Sequence, residues 1–368
     1  MIGGGQAALA TGFYLRRAGL VPGRDFVILD AAERAGGAWN RMWDGLRLFS
    51  PASFSSLPGW MMPPWDDATE GYPPRRHVVD YLTRYEERYD LYVERPCRVN
   101  SVGRVDDDPA GLLLVETSTD RLTARVVISA TGTWERPFWP TYPGTREFSG
   151  QQLHAAQYRS PAEFSDRRVV VVGGGNSAAQ ILAEVSTVAE TIWVTNRPPR
   201  FLPDDVDGRA LFAAARARVE ALRDGRDHPG VGGLGDIVMV PSVREARDRG
   251  VLHAHPMFQR LTTDGVAWSG GDKAAADAII WCTGFRPALQ HLRPLRLPSI
   301  GGRIAVGGPS GTQSAGDRRV YLVGYGDWTG PASATLAGIG PSARATAESA
   351  MRNLADLRAG GFEGSRSR

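Results

Sequence analysis

Four consecutive β-branched residues, Val169 to Val172, break the mixed polar pattern around them. Such a run reads as a strand buried on both faces, as in a parallel sheet. Gly173-Gly174-Gly175-Asn176-Ser177-Ala178 follows, and then an apolar-periodic stretch over 178–189 that predicts a helix. The spacing G-x-G-x-x-A between strand and helix has a physical purpose. Gly173 permits a tight turn, Gly175 lets the backbone approach a pyrophosphate, and the small Ala178 lets helix pack close to strand. Free N–H groups at the helix start, beside Asn176 and Ser177, would face that anion.

The same spacing opens the chain as Gly3-Gly4-Gly5-Gln6-Ala7-Ala8, with a helix-compatible run over 9–18 behind it. Gly3, Gly5 and Ala8 match Gly173, Gly175 and Ala178. Two copies half a chain apart predict two separate dinucleotide folds, hence electron transfer between two cofactors. Only Met1 and Ile2 precede Gly3, where such a fold needs a central apolar strand. Omitting about four buried side chains would forfeit roughly 6–12 kcal/mol, so the natural strand is expected to begin upstream of Met1.

What stands at each strand end separates the two sites. Residues 25–30 predict a short strand ending in Asp30, placed to accept hydrogen bonds from ribose hydroxyls. Residues 191–195 predict the matching strand of the second fold, but Asn196-Arg197-Pro198-Pro199-Arg200 follows it. No carboxylate repels a 2′-phosphate there, and Arg197 and Arg200 can bind one. FAD is therefore expected at the first loop and NADPH at the second.

Other stretches fill in the frame. Gly36-Gly37-Ala38-Trp39 leads into an aromatic, Pro-rich loop over 50–65, expected to wrap something flat. A helix is expected over 78–89, strands over 91–105, and 112–115 is expected to pair with 125–128. That last strand runs into Thr131-Gly132, and 279–282 runs likewise into Thr283-Gly284, suggesting crossings between nested domains. Residues 208–225 read as an amphipathic helix, 226–235 as a glycine-rich loop and 342–357 as a helix. The tail 360–368 reads as disordered. Asp327, after the strand 320–323, is placed to bond ribityl or diphosphate-side hydroxyls.

Composition narrows the classes. With 42% hydrophobic residues and a mean hydropathy of −0.26, this is an ordinary globular chain. No apolar run approaches the roughly 20 residues of a membrane span, and the first residues lack the charged-then-apolar order expected of a signal peptide. The net charge of +3 comes with a single lysine, Lys273, and no basic cluster interleaved with aromatics, which argues against nucleic acid. Cys97 and Cys282 form no C-x-x-C, pointing to a reducing cytoplasm and away from a dithiol relay. His253 and His255 lack further ligands at metal spacing, so no metal is expected.

Together these residues resemble the flavin-containing monooxygenase superfamily. The resemblance rests on both glycine loops, G-G-x-W, Phe148-x-Gly150-x-x-x-His154-x-x-x-Tyr158, both Thr-Gly crossings and Gly326-Asp327. Segments 46–51, 55–60, 197–203 and 324–330 look most like the NADPH-dependent FAD monooxygenases of bacterial arsenic-resistance operons. The resemblance implies an α/β chain of two nested Rossmann-like domains; the short start before Gly3 makes the first strand read as truncated. An FAD domain of 1–164 and 285–368 would hold an inserted NADPH domain of 165–284. It implies a cycle in which NADPH reduces FAD, O₂ adds to give a C4a-(hydro)peroxide, and one oxygen atom passes to a small substrate. His154 is then a linker residue contacting NADPH. Many animal-type members place an Asn near flavin C4a; the comparable 49–53 has none, so the expectation is either that Ser50 or Ser53 replaces its hydrogen bond or that the peroxide is short-lived. A flavin reductase of the disulfide or ferredoxin type, a non-catalytic flavoprotein and a homodimer all remain open at this point.

Overall fold

A computed structural model describes residues 1–65, 72–108, 111–211, 213, 217 and 236–363, with side chains of the last helix up to 357. The expected helix over 208–225 is described only in part, and the loop over 226–235 lies outside the described residues.

The valine strand lies where its pattern requires. Arg168–Val172 sits in a five-stranded parallel sheet, ordered Ala254–Pro256, Glu190–Thr195, Arg168–Val172, Ala278–Trp281, Gln151–His154. Val169 and Val171 point to one core, with Ile181 and Leu182 of the helix Asn176–Val185. Val170 and Val172 point to the other, with Phe258 and Leu261. That second face is covered by a three-stranded antiparallel sheet, Arg260–Thr262, Gly265–Ala267 and Lys273–Ala275. Each buried valine contributes about 1.5–3 kcal/mol. Gln151–His154 supplies this sheet's outer strand, so its strands start before the expected boundary at 165.

The first sheet runs Val306–Gly307, Gln313–Ser314, Val320–Leu322, Val127–Ser129. Ile2 bridges in parallel to both Ser129 and Leu29, and Ile28–Leu29 pairs with Val93–Glu94. Met1 to Gly3 thus hold the central position. The Ile2 amide donates to Ile128 O at 2.9 Å, Gly3 to Leu29 O at 2.8 Å, and Leu29 to Met1 O at 2.9 Å. The Met1 amine donates to Val27 O at 2.6 Å, and burial pulls its pKa down to about 5.

One expected pairing is corrected. Leu113–Thr117 pairs with Val99–Arg104 and Arg121–Ala124, whereas Val127–Ser129 pairs in parallel with Val320–Leu322. The turn at 118–120 closes a local hairpin whose last strand is largely exposed. Val127–Ser129 is buried throughout, which suits a position inside a parallel sheet. The helix Gln6–Arg17 packs on the final helix, Ile339–Glu363. That helix runs into the segment expected to be disordered. Among the described residues no helix is long and apolar enough to cross a membrane.

Candidate active site

A cavity of about 760 Å³ opens where the central strands of the first sheet end: after Ile2, Leu29, Ser129 and Leu322. Crevices at the carboxyl ends of such strands are where doubly wound sheets bind ligands. Gly3 has φ +99, and a Cβ there would lie 2.6 Å from Ala130 O, so this turn accepts only glycine. A Cβ on Gly5 would meet nothing nearer than Gly37 Cα at 3.9 Å. Packing does not demand glycine at that point; the open face lets a ligand approach the backbone. Gly37, at φ +56, presses on Gly5 from outside, 2.8 Å from its own would-be Cβ. Ala8 is fully buried, as close helix packing requires.

Asp30 lines this cavity, 8% exposed. Its Oδ2 pairs with Arg95 Nε at 2.9 Å, and Arg95 holds Glu86 through two more bonds of 2.6 and 2.8 Å. Oδ1 accepts the Ala32 amide at a long 3.3 Å. Arg95 therefore orients the carboxylate in the cavity wall. Nothing in the local pattern announced Arg95, 65 residues away.

Behind the Thr131-Gly132 turn lies a polar chain that the sequence did not reveal. Thr131 Oγ1 donates to Ala288 O at 2.7 Å and contacts the Tyr325 hydroxyl at 2.8 Å. That hydroxyl meets Ser129 Oγ at 2.8 Å, and Ser129 Oγ meets His291 Nε2 at 3.1 Å. His291 lines the cavity, and burial lowers its pKa to about 4, so it is neutral.

Aromatic side chains form another part of the wall. Trp39 Nε1 donates to Gln6 Oε1 at 3.0 Å, fixing the G-G-x-W segment to the first helix. Trp43 and Phe49 line the cavity, and Trp43 Nε1 donates to Glu184 Oε1 at 3.0 Å. Glu184 belongs to the helix of the second glycine loop, and Tyr158 donates to its other oxygen at 2.9 Å. Burial pushes the Glu184 carboxyl above its ordinary range, against the pull of these two donors. Asn176, Ser177 and Gln180 of that helix line this same cavity.

The second loop also borders a separate pocket of about 420 Å³, with Gly173, Gly174, Arg197, Arg200 and Thr283 in its wall. Gly173 has φ +139, and a Cβ there would collide with Cys282 O. Gly175 is the extended residue before the helix. Asp236 enters this pocket too, 3.6 Å from Arg200. Asn176 turns its amide onto the 236–238 backbone, donating to Asp236 O and accepting from Val238 N–H, both at 2.9 Å. Cys282 forms part of the wall; burial raises its thiol pKa to about 12.

Four expected positions come out differently. Ser50 is 1% exposed and bonds Ser55 Oγ at 2.8 Å, while Ser53 is exposed; neither lines the cavity, because the chain turns into a short 3-10 helix at Ala52–Phe54. His154 is fully buried, with Nδ1 accepting the Ala156 amide at 3.0 Å. Its Nε2–H then donates to Gly284 O at 3.0 Å, leaving no nitrogen for a ligand. It ties its strand to the second crossing, where Gly284 has φ +82. Asp327 is exposed and accepts the Ala332 amide at 3.3 Å, whereas its neighbour Gly324 lines the cavity.

Comparison with known proteins agrees with this geometry. A family model for pyridine nucleotide-disulphide oxidoreductases matches residues 1–224. The solved flavin-containing monooxygenase from Stenotrophomonas maltophilia is 47% identical, with a TM-score of 0.84 over 96% of this chain and 97% of that one. An uncharacterized oxidoreductase, CzcO-like, from Geobacillus kaustophilus is 27% identical over 77% of this chain and 79% of its own. A Baeyer-Villiger monooxygenase from Streptomyces coelicolor is 33% identical over 60% of this chain but only 42% of its own. The chain belongs to the pyridine nucleotide-disulphide oxidoreductase family, and within it to the flavin monooxygenases.

Proposed function

We propose that FAD occupies the large cavity, NADPH binds from the smaller pocket toward it, and one oxygen atom from O₂ is transferred to a small nucleophilic or carbonyl substrate. One observation carries this reading. Asn176, Ser177 and Gln180 of the second glycine-loop helix line the same cavity as Gly3, Gly5, Asp30 and Thr131 of the first. A nicotinamide held at the second loop therefore reaches a ring held at the first.

The residues fit FAD. The open Cβ direction of Gly5 and the amides at the start of Gln6–Arg17 suit the diphosphate. Asp30, turned by Arg95, suits ribose hydroxyls. When bound, FAD supplies the hydride acceptor and the site of oxygen activation. The protein orients it and keeps water out: Trp39, Trp43 and Phe49 present apolar surface to the cavity. Arg197 supplies positive charge for a 2′-phosphate in the smaller pocket. His154 and Asn176 act at one remove, fixing the second crossing and the 236–238 segment. A disulfide-reductase reading lacks its dithiol, since Cys97 lines the large cavity and Cys282 the smaller pocket. We place the enzyme in the cytoplasm, where NADPH is regenerated.

Turnover under ¹⁸O₂ with a thioether and, separately, a cyclic ketone tests the assignment. One labelled oxygen in the product of either is expected; NADPH consumption with label only in hydrogen peroxide or water, for both, would contradict oxygen transfer.

A further inference from the structure

The strand Glu190–Thr195 ends without an acid, yet an acid reaches its pocket from 36 residues beyond Arg200. Backbone pairing puts it there. The Ile237 amide donates to Arg200 O at 2.8 Å, and the Leu202 amide donates to Ile237 O at 2.9 Å. The two bonds from Asn176, to Asp236 O and from Val238 N–H, hold the same segment against the nucleotide loop. Asp236 and Arg200 therefore face each other because their backbones are zipped together. The Asp236 side chain is 14% exposed, and its carboxylate lies 3.6 Å from the Arg200 guanidinium. Both share the pocket with Arg197, which makes no ion pair among the described residues.

We propose that Asp236 is a specificity-determining residue of the pyridine-nucleotide site. Its carboxylate opposes a 2′-phosphate, occupies the charge of Arg200, and can accept the ribose hydroxyls of NADH. Arg197 is then the cation that meets the 2′-phosphate, and Asp236 narrows the margin by which NADPH is favoured. This rests on the assignment of the smaller pocket to NADPH. The physical basis is charge: a carboxylate on a partly dry wall repels a phosphate more than it would in water, and a carboxylate is the usual acceptor for the two adenosine hydroxyls.

The test uses FAD-loaded protein and two redox-inert probes, adenosine 2′,5′-bisphosphate and 5′-AMP, titrated to equilibrium. Asp236→Asn should raise the affinity ratio of bisphosphate to AMP about 10-fold, the scale of one charge-assisted contact. Adding Arg200→Ala to that variant should return the ratio toward the parent value, because the freed cation is gone. Arg200→Ala alone should lower the ratio, because the carboxylate then faces the 2′-phosphate without its counter-ion. An unchanged ratio in Asp236→Asn overturns the proposal, and so does failure of both probes to bind the parent. Anaerobic reduction of the flavin by NADPH on the same samples decides separately whether the protein uses the pyridine nucleotide that the smaller pocket is assigned to hold.

Discussion

The Trp43 indole N–H donates to Glu184 Oε1 at 3.0 Å, joining the two nucleotide folds at the wall of the large cavity. Trp43 follows the G-G-x-W segment of the first fold, and Glu184 sits near the end of the helix that begins at Asn176. Tyr158, the last residue of the histidine motif, donates to the same carboxylate. A Cβ on Gly45 would strike Glu184 Oε1, which explains a glycine two residues after the tryptophan. The bond makes the cavity wall and the helix that presents Asn176 and Gln180 one mechanical unit.

Glu184→Ala should leave the Trp43 N–H and the Tyr158 hydroxyl without their acceptor. Each such loss costs about 1–3 kcal/mol, so a fall in stability of about 2–6 kcal/mol is expected. Glu184→Gln, which keeps one acceptor oxygen, should cost roughly half as much. Thermal melts compare the two. In the alanine variant, flavin reduction by NADPH should slow while FAD content per chain stays near the parent value.

His154→Ala should act on stability rather than on NADPH affinity. Both ring nitrogens are engaged with backbone, and the ring is fully buried beside Phe285. A loss of about 2–4 kcal/mol follows from the cavity and the orphaned partners. Protein that remains folded should bind NADP⁺ within about twofold of the parent by equilibrium titration, because the ring reaches neither pocket.

Ser53→Ala should change neither stability nor the share of NADPH electrons ending in hydrogen peroxide, because the side chain is exposed and outside the cavity. Ser50→Ala should cost about 0.5–1.5 kcal/mol through the lost Ser55 bond. A peroxide assay on both variants, with and without substrate, checks this. A large rise in peroxide for either would restore a serine beside the flavin.

His291 gives a pH signature with a definite sign. Burial holds its folded pKa at about 4, below the ordinary histidine value of about 6.5. Between these values the unfolded chain binds the proton and the folded one does not. The stabilisation is therefore complete above about pH 6.5 and is lost as pH falls toward 4, at up to about 3 kcal/mol. Melting temperatures at pH 7 and pH 5 should differ less in His291→Gln than in the parent. The buried Met1 amine changes over a higher window, from its ordinary value of 8.0 down to about 5, and remains in both proteins.

Much of the frame was legible because it rests on local backbone needs. Gly3 and Gly173 are required by positive φ and near-contact with a neighbouring strand, and such needs leave a sequence mark. The valine strand was legible because both faces are buried, leaving no polar alternation. What could not be seen are contacts whose partners lie far apart in sequence. Arg95 on Asp30, Glu184 on Trp43, His291 on Ser129 and Asp236 on Arg200 span 65, 141, 162 and 36 residues. The histidine motif was recognisable as a pattern, but its spacing does not reveal that the ring bonds backbone instead of a ligand. In a short apolar run such as 125–128 a hairpin and a parallel crossover look alike, so the pattern does not identify Val320–Leu322 as the partner.

The central claim is that a nucleotide at the second loop reduces a flavin held at the first, across one shared cavity, for use by O₂. Anaerobic stopped-flow mixing of FAD-loaded protein with NADPH, followed by mixing with oxygenated buffer, tests it most directly. The account predicts loss of the oxidised-flavin absorbance near 450 nm within seconds, slower reduction in Arg197→Ala at subsaturating NADPH, and prompt reoxidation by O₂. Flavin that NADPH leaves oxidised, or reduced flavin that stays reduced for minutes in O₂, would contradict it.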